Sequence, residues 1–194
     1  MTLNRTLLAA FALATALLGG CSQQDASVAG KPAKQEVTIA AVTTGAKGFT
    51  VGALMSANTV YVFFDPQCPH CGHLWQASLP LHKKVKFQWI PVAWINASSL
   101  TQGAALLTAA DPLALMNEHE TSLLASRGGI SASASVSSDV ERTIKANTQL
   151  LNSFGAESVP YVVVKNARTG QTIARDGALS TAGLAELIGV DVAP

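Results

Sequence analysis

The pattern of apolar and polar positions changes period several times along the chain, and each change predicts an element. Residues 59–64 (TVYVFF) form an unbroken β-branched and aromatic run. That is the pattern of a strand covered on both faces at the centre of an α/β sheet. Asp65-Pro66-Gln67 interrupts the run, and Pro69 opens a helix reaching about Leu79. Proline suits a first helical turn because the N–H it lacks would have no intrahelical partner. Pro80 kinks or ends that helix. Residues 86–94 (KFQWIPVAW) read as a second strand, in which Pro91 marks an irregularity or an edge. Helices follow over 101–110 and 112–126, then a loop from Gly128-Gly129 through a Ser/Ala-rich stretch. From Ser138 to Phe154, Val140, Ile144, Leu151 and Phe154 share one helical face, and Gly155 supplies the stop. Residues 160–165 (PYVVVK) and 172–175 read as a hairpin around the 166–170 turn. Ser180 caps a last helix over 182–188, while Glu36 to Asn58 reads as a short strand or hairpin. The order predicts an α/β fold with a helical insertion before the final β-hairpin.

The first residues follow a different pattern. Arg5 precedes 12 residues, Leu7 to Leu18, that are nearly all apolar. A spanning helix needs about 20 residues, so this stretch reads as the apolar region of a signal peptide. Leu18-Gly19-Gly20-Cys21 resembles a bacterial lipobox, in which the cysteine is acylated and becomes the mature N-terminus. Residues 22–34 (SQQDASVAGKPAK) are small and polar, with the composition of a flexible tether. The predicted organisation is a lipoprotein signal peptide over 1–20, a tether over 21–35 and a folded domain over 36–194. The implied location is the periplasm, on a membrane anchor at Cys21.

Hydrophobic residues make up 48% of the chain, enough for a sizeable core. Of 13 basic residues, removing Arg5 with the signal peptide leaves 12 against 12 acidic. A balance of zero supplies no long-range attraction for nucleic acid, so none is expected as a partner.

With Cys21 assigned to lipid, two of the three cysteines remain, in the sequence Cys68-Pro69-His70-Cys71. A disulfide closing so short a loop adds little stability in the chain-entropy picture, so the pair points to chemistry. The thiolate is the reactive form of cysteine. Cys68 falls at the predicted helix N-terminus, where free N–H groups and the macrodipole favour negative charge. His70 adds a donor or partial positive charge, and Pro69 fixes the turn. Cys71, one turn deeper, is the expected resolving thiol. Haem attachment would need a histidine after the second cysteine, where Gly72 stands. A metal-binding or copper-delivery protein using the same thiols is the alternative, although a zinc site would need a second ligand pair. No cofactor and no metal are expected. His73, His82 and His119 read as solvated surface residues.

Phe63 to Cys71 (FFDPQCPHC) with a downstream Val159-Pro160 resembles the Dsb family of thioredoxin-fold thiol:disulfide interchange proteins. The strand, D-P-x-C-P-x-C, the Trp75 helix, the Asp111-Pro112 break and the helical insert are similar to the DsbG/DsbC catalytic domain. The Pro69-His70 dipeptide and Val159 are similar to DsbA. The resemblance implies a thioredoxin fold over about residues 48–190 and exchange through Cys68 and Cys71, as oxidase, isomerase or sulfenic-acid reductase. It implies a cis Val159–Pro160 bond against the cysteine pair, with the Val159 backbone pairing with substrate. It implies cysteine-containing exported proteins as partners and a membrane redox partner that resets the pair. DsbC and DsbG carry an N-terminal dimerisation domain, for which the 37 residues from Cys21 to Ala57 leave no room, so a monomer is expected. Thioredoxin and DsbA place a buried acid six residues before the first cysteine, where Val62 stands here, so the Cys71 proton would need another acceptor, such as solvent.

Overall fold

The computed structural model describes residues 34–192. The elements are α1 (Ile39–Gly45), β1 (Phe49–Gly52), β2 (Thr59–Phe64), α2 (Pro69–Ser78), a 3-10 turn (Leu79–Leu81) and β3 (Lys86–Pro91). The insertion of α3 (Ala97–Leu107), α4 (Pro112–Leu124) and α5 (Ser138–Ser153) follows, then β4 (Tyr161–Lys165), β5 (Thr172–Asp176) and α6 (Thr181–Ile188). One five-stranded sheet has the order β1-β3-β2-β4-β5. β2 runs parallel to β3, with Phe64 opposite Pro91, and antiparallel to β4, with Val62 opposite Val162. This is the thioredoxin fold with a helical insertion before the last hairpin.

The core follows from the apolar runs. Every residue of β2 after Thr59 is buried, and Phe63, Phe64, Phe87, Trp89 and Trp75 are fully covered. Trp89 makes edge contacts with Phe64 and Trp75, joining the sheet to α2.

Three elements differ from the sequence reading. Residues 39–45 form a helix, where only a strand or hairpin was predicted; Thr38 caps it and Val42 anchors it in the core. β3 is interior to the sheet and ends at Pro91, so the proline marks a strand end and no edge. The Val92 amide still pairs with the Phe64 carbonyl, and beyond it side chains take the amides: Thr148 accepts from Ala93, and Asp65 from Trp94 and Ile95. α3 starts at Ala97, ahead of Thr101, because Asn96 and Ser99 form a capping box.

Candidate active site

Asp65, immediately after β2, builds the platform of the site. Its carboxylate is wholly buried and accepts four hydrogen bonds. One oxygen takes the Gln67 amide (2.8 Å) and the Ser99 hydroxyl (2.7 Å); the other takes the amides of Trp94 (2.6 Å) and Ile95 (2.9 Å). The ends of β2 and β3 and the start of the insertion are thereby tied together. The Asp65 carbonyl also accepts from the Cys68 amide at 2.9 Å, closing the turn that delivers Cys68 to the N-cap of α2.

Cys68 and Cys71 are free thiols, 4% and 0% exposed. The Cys68 thiol is lowered to about 6. The first cause is the Cys71 thiol donating to it; the backbone N–H groups of Cys71 and His70 and the His70 charge act in the same direction, against burial. The Cys71 thiol is pushed well up, by burial first, then by its hydrogen bond to Cys68 and by the Cys68 charge. One sulfur is stabilised as thiolate and its neighbour as thiol.

Across the site the Val159–Pro160 peptide bond is cis. The Val159 carbonyl accepts from the Cys68 thiol at 3.4 Å, bringing together residues 91 positions apart. Pro69 and His70 are exposed at the mouth of the pair, and Val159 and Pro160 are buried beside it. Cys21 lies outside the described residues. Among the described residues no group of three or more His, Cys, Asp or Glu is placed to hold a metal ion.

Two histidines read as surface residues are not on the surface. His82 is half-buried and shares an edge contact with Trp75. The Ser78 hydroxyl spends its proton on the Trp75 carbonyl at 2.7 Å, so His82 Nε2 carries the proton in the 3.2 Å bond to Ser78. His119, on α4, is fully buried. Its Nε2 donates to the Pro66 carbonyl at 2.7 Å, and its Nδ1 accepts from the Ile130 amide at 3.2 Å. A carbonyl cannot donate and an amide N–H cannot accept, so the neutral tautomer is fixed. His73 is exposed, as read.

The sequence reading also passed over Asp65, Gln67, Gln102 and Glu120. Gln67 and Gln102 join each other and the Gly128 carbonyl, stitching the cysteine loop to the insertion. Asp65 had a signal, an acid breaking a buried apolar run, whereas Glu120 had none, since one glutamate within NEHETS looks solvated.

No family model matches the chain. It is 31% identical over 140 residues to the thiol:disulfide interchange protein DsbG of Pseudomonas aeruginosa, covering 71% of this chain and 54% of the relative. It is 32% identical over 108 residues to DsbG of Escherichia coli, covering 53% and 42%. The chain thus spans about half the length of the curated relatives it matches. A periplasmic thioredoxin-like protein from Salmonella enterica superimposes with a TM-score of 0.62 at 16% identity, covering 79% of this chain and 97% of the other. A compact conformation of Proteus mirabilis ScsC gives 0.62 at 17%, covering 80% of each. A thioredoxin-like oxidoreductase from Silicibacter pomeroyi gives 0.57 at 16%, covering 78% and 96%. At these identities the structures establish the fold.

Proposed function

For a chain whose described part is a Dsb-family domain of thioredoxin fold, we propose a thiol:disulfide oxidoreductase that exchanges disulfides with exported proteins through Cys68 and Cys71. The observation that carries this is the split between the two thiols: Cys68 is lowered to about 6 at a helix N-cap, and Cys71 is raised behind it. The Cys68 thiolate attacks a partner disulfide, giving a mixed disulfide and a partner thiolate. Cys71 then attacks Cys68, releasing the second partner sulfur and leaving the chain oxidised. His70 sustains the thiolate through its backbone N–H and its charge, Pro69 fixes the turn, and the Val159–Pro160 edge offers backbone groups to the partner chain.

Cysteine-containing exported proteins are the substrate class, and a membrane protein that resets the pair is the second partner. Periplasmic location draws on the lipobox reading and on the periplasmic relative by fold. A lipid anchor at Cys21 and a monomeric state belong to the same proposal; fatty-acid labelling lost in Cys21→Ser and sedimentation of the folded domain test them.

Titration of thiolate absorbance tests the chemistry. The reduced chain should titrate near pH 6, and Cys68→Ser should abolish that step. Cys71→Ala should accumulate a mixed disulfide with oxidised glutathione. A Cys68 thiol titrating at the free value of about 8.5, or no mixed disulfide, overturns the reading.

A further inference from the structure

The turn between β1 and β2 departs from ordinary turn chemistry. The Ser56 amide donates to the Ala53 carbonyl at 2.8 Å, which makes Leu54 and Met55 the two central residues of a tight turn. Such positions ordinarily carry Gly, Pro, Asn, Asp or Ser, whose backbone preferences suit a turn. Here two large apolar side chains project instead, Leu54 61% and Met55 98% exposed. Left in water, they gain nothing from folding. The turn is tied down on both sides. The Ala53 amide donates to the Val85 carbonyl at 3.0 Å, the Ser56 hydroxyl to the Lys84 carbonyl at 2.8 Å, and the Lys86 amide to the Asn58 carbonyl at 3.0 Å. A Cβ on Gly52 would stand 2.4 Å from the Val85 carbonyl oxygen, so the two segments are in backbone contact.

The segment that holds this tip is basic. Lys83 and Lys84 are exposed, and Lys86 is half-buried beside them. Among the described residues none of the three is in an ion pair. Lys84 Nζ donates to the Asp191 carbonyl at 3.1 Å, while the Asp191 carboxylate is taken by Arg168. His82, lowered to about 4 by burial, adds no charge at neutral pH. Although the charges of the chain as a whole balance, this end of the sheet sets three cations around an apolar tip. We propose that the tip docks the domain on an anionic bilayer surface. Leu54 and Met55 enter the boundary between headgroups and acyl chains, and the three lysines meet the lipid phosphates. The docking depends neither on acylation of Cys21 nor on the exchange function.

Two features select lipid over a protein partner. The tip is a projecting turn, which enters a soft surface but presents no pocket or groove to another folded chain. Its surroundings are lysines, which protein interfaces disfavour. At a bilayer the lysine stem lies along the apolar boundary while the ammonium group reaches the headgroups. Each such lysine adds attraction to an anionic leaflet within a Debye length of the surface. The fold then sets the orientation. The turn precedes β2 and Cys68 follows it, so six residues at about 3.3 Å each place the two ends roughly 20 Å apart. A domain docked by its tip holds the cysteine pair away from the lipid, facing soluble partners.

The test reads Met55 itself. The full chain is mixed with vesicles of phosphatidylcholine alone, or with about 30% phosphatidylglycerol added to supply the anionic surface. Sulfoxide formation at Met55 by hydrogen peroxide is followed by mass spectrometry, with the fully buried Met116 as internal reference. Met55 should oxidise as fast on phosphatidylcholine as without vesicles, and at least about fivefold more slowly on the anionic vesicles. The protection should vanish at about 1 M salt, where the Debye length shrinks to a few ångströms. It should vanish also in Lys83→Glu/Lys84→Glu, whose mixed-disulfide formation with glutathione should match the wild type. Equal Met55 rates on the two kinds of vesicle overturn the docking. Protection without vesicles points to a protein occupant, a second copy included, and overturns it too. Protection that survives in the double variant removes the role of the lysines and overturns the choice of an anionic surface. A chain whose Met55 is protected but which forms no mixed disulfide overturns the exchange function and leaves the docking standing.

Discussion

Two cysteines one helical turn apart meet opposite environments, and that difference carries a free-energy consequence. Lowering the Cys68 thiol from about 9 to about 6 stabilises the reduced protein at pH 7 by about 1.4 kcal/mol. This makes the disulfide more oxidising by roughly 30 mV. Other single residues set how stability responds to pH. His82 is lowered from 6.5 to about 4 by burial. Between those values the unfolded chain binds a proton that the folded chain does not, so stability is lost as pH falls from 6.5 toward 4. His119, lowered by burial against the pull of the Pro66 carbonyl, acts with the same sign. Glu120 acts oppositely: raised from 4.5 to about 9, it is protonated when folded and ionised when unfolded, so its stabilisation grows as pH falls through that range. Between about pH 6.5 and 4.5 the two signs offset each other. Glu120→Gln should therefore steepen the acid loss of the reduced chain by about 1.4 kcal/mol per pH unit, and His82→Phe should flatten it. Urea unfolding at half-unit pH steps measures both slopes; a Glu120→Gln slope equal to that of the wild type contradicts the expectation.

At the scale of elements, α2 and α4 meet at a point with no spare volume. Gly72 lies inside α2, where alanine would ordinarily favour the helix by about 1 kcal/mol. Its missing Cβ is the space occupied by Glu120 Oε2 and the Leu124 side chain, and overpacking such a contact costs about 1–3 kcal/mol. The steric cost offsets or outweighs the propensity gain, so Gly72→Ala should destabilise the domain by up to about 2 kcal/mol. In a Glu120→Ala background the same change should be neutral or stabilising, because the obstructing carboxyl group is gone. A double-mutant cycle from denaturant unfolding reads the coupling, and simple additivity would show that the two side chains do not compete for that space. Caps explain how closely element bounds can be read from a chain. Ser180 caps α6 and Gly155 follows α5 in the left-handed region, both as the sequence reads. Asn96 and Ser99 were missed because a run of small polar residues looks the same in a loop and in a capping box.

Over the whole molecule, the sheet is graded from a covered centre to an open edge. β2 and β3 lie at the middle with nearly every side chain inward, whereas β5 forms an edge with all but Ile173 exposed. Opening free energies follow burial, so amide exchange should be slowest in residues 60–64 and 87–90 and fastest in β5 and the Ser/Ala-rich loop over 131–136. Exchange mass spectrometry on the folded domain checks this, and equal protection of β2 and β5 would contradict it. The sequence by itself determined the elements whose signals are local: the apolar run of β2, the proline-started helix, the β4–β5 hairpin, and the two cysteines that chain geometry places on one helical turn. Only the tertiary structure decided what surrounds those cysteines. The Val159 carbonyl reaches Cys68 from 91 residues away, and Asp65 collects amides from beyond β3. Glu120 is turned inward on a helix whose polar residues otherwise look alike. The physical reason is that hydrophobic period reports which face of an element is apolar. A single polar side chain on the buried face leaves no periodic mark, because its position comes from the sum of many weak contacts between distant segments.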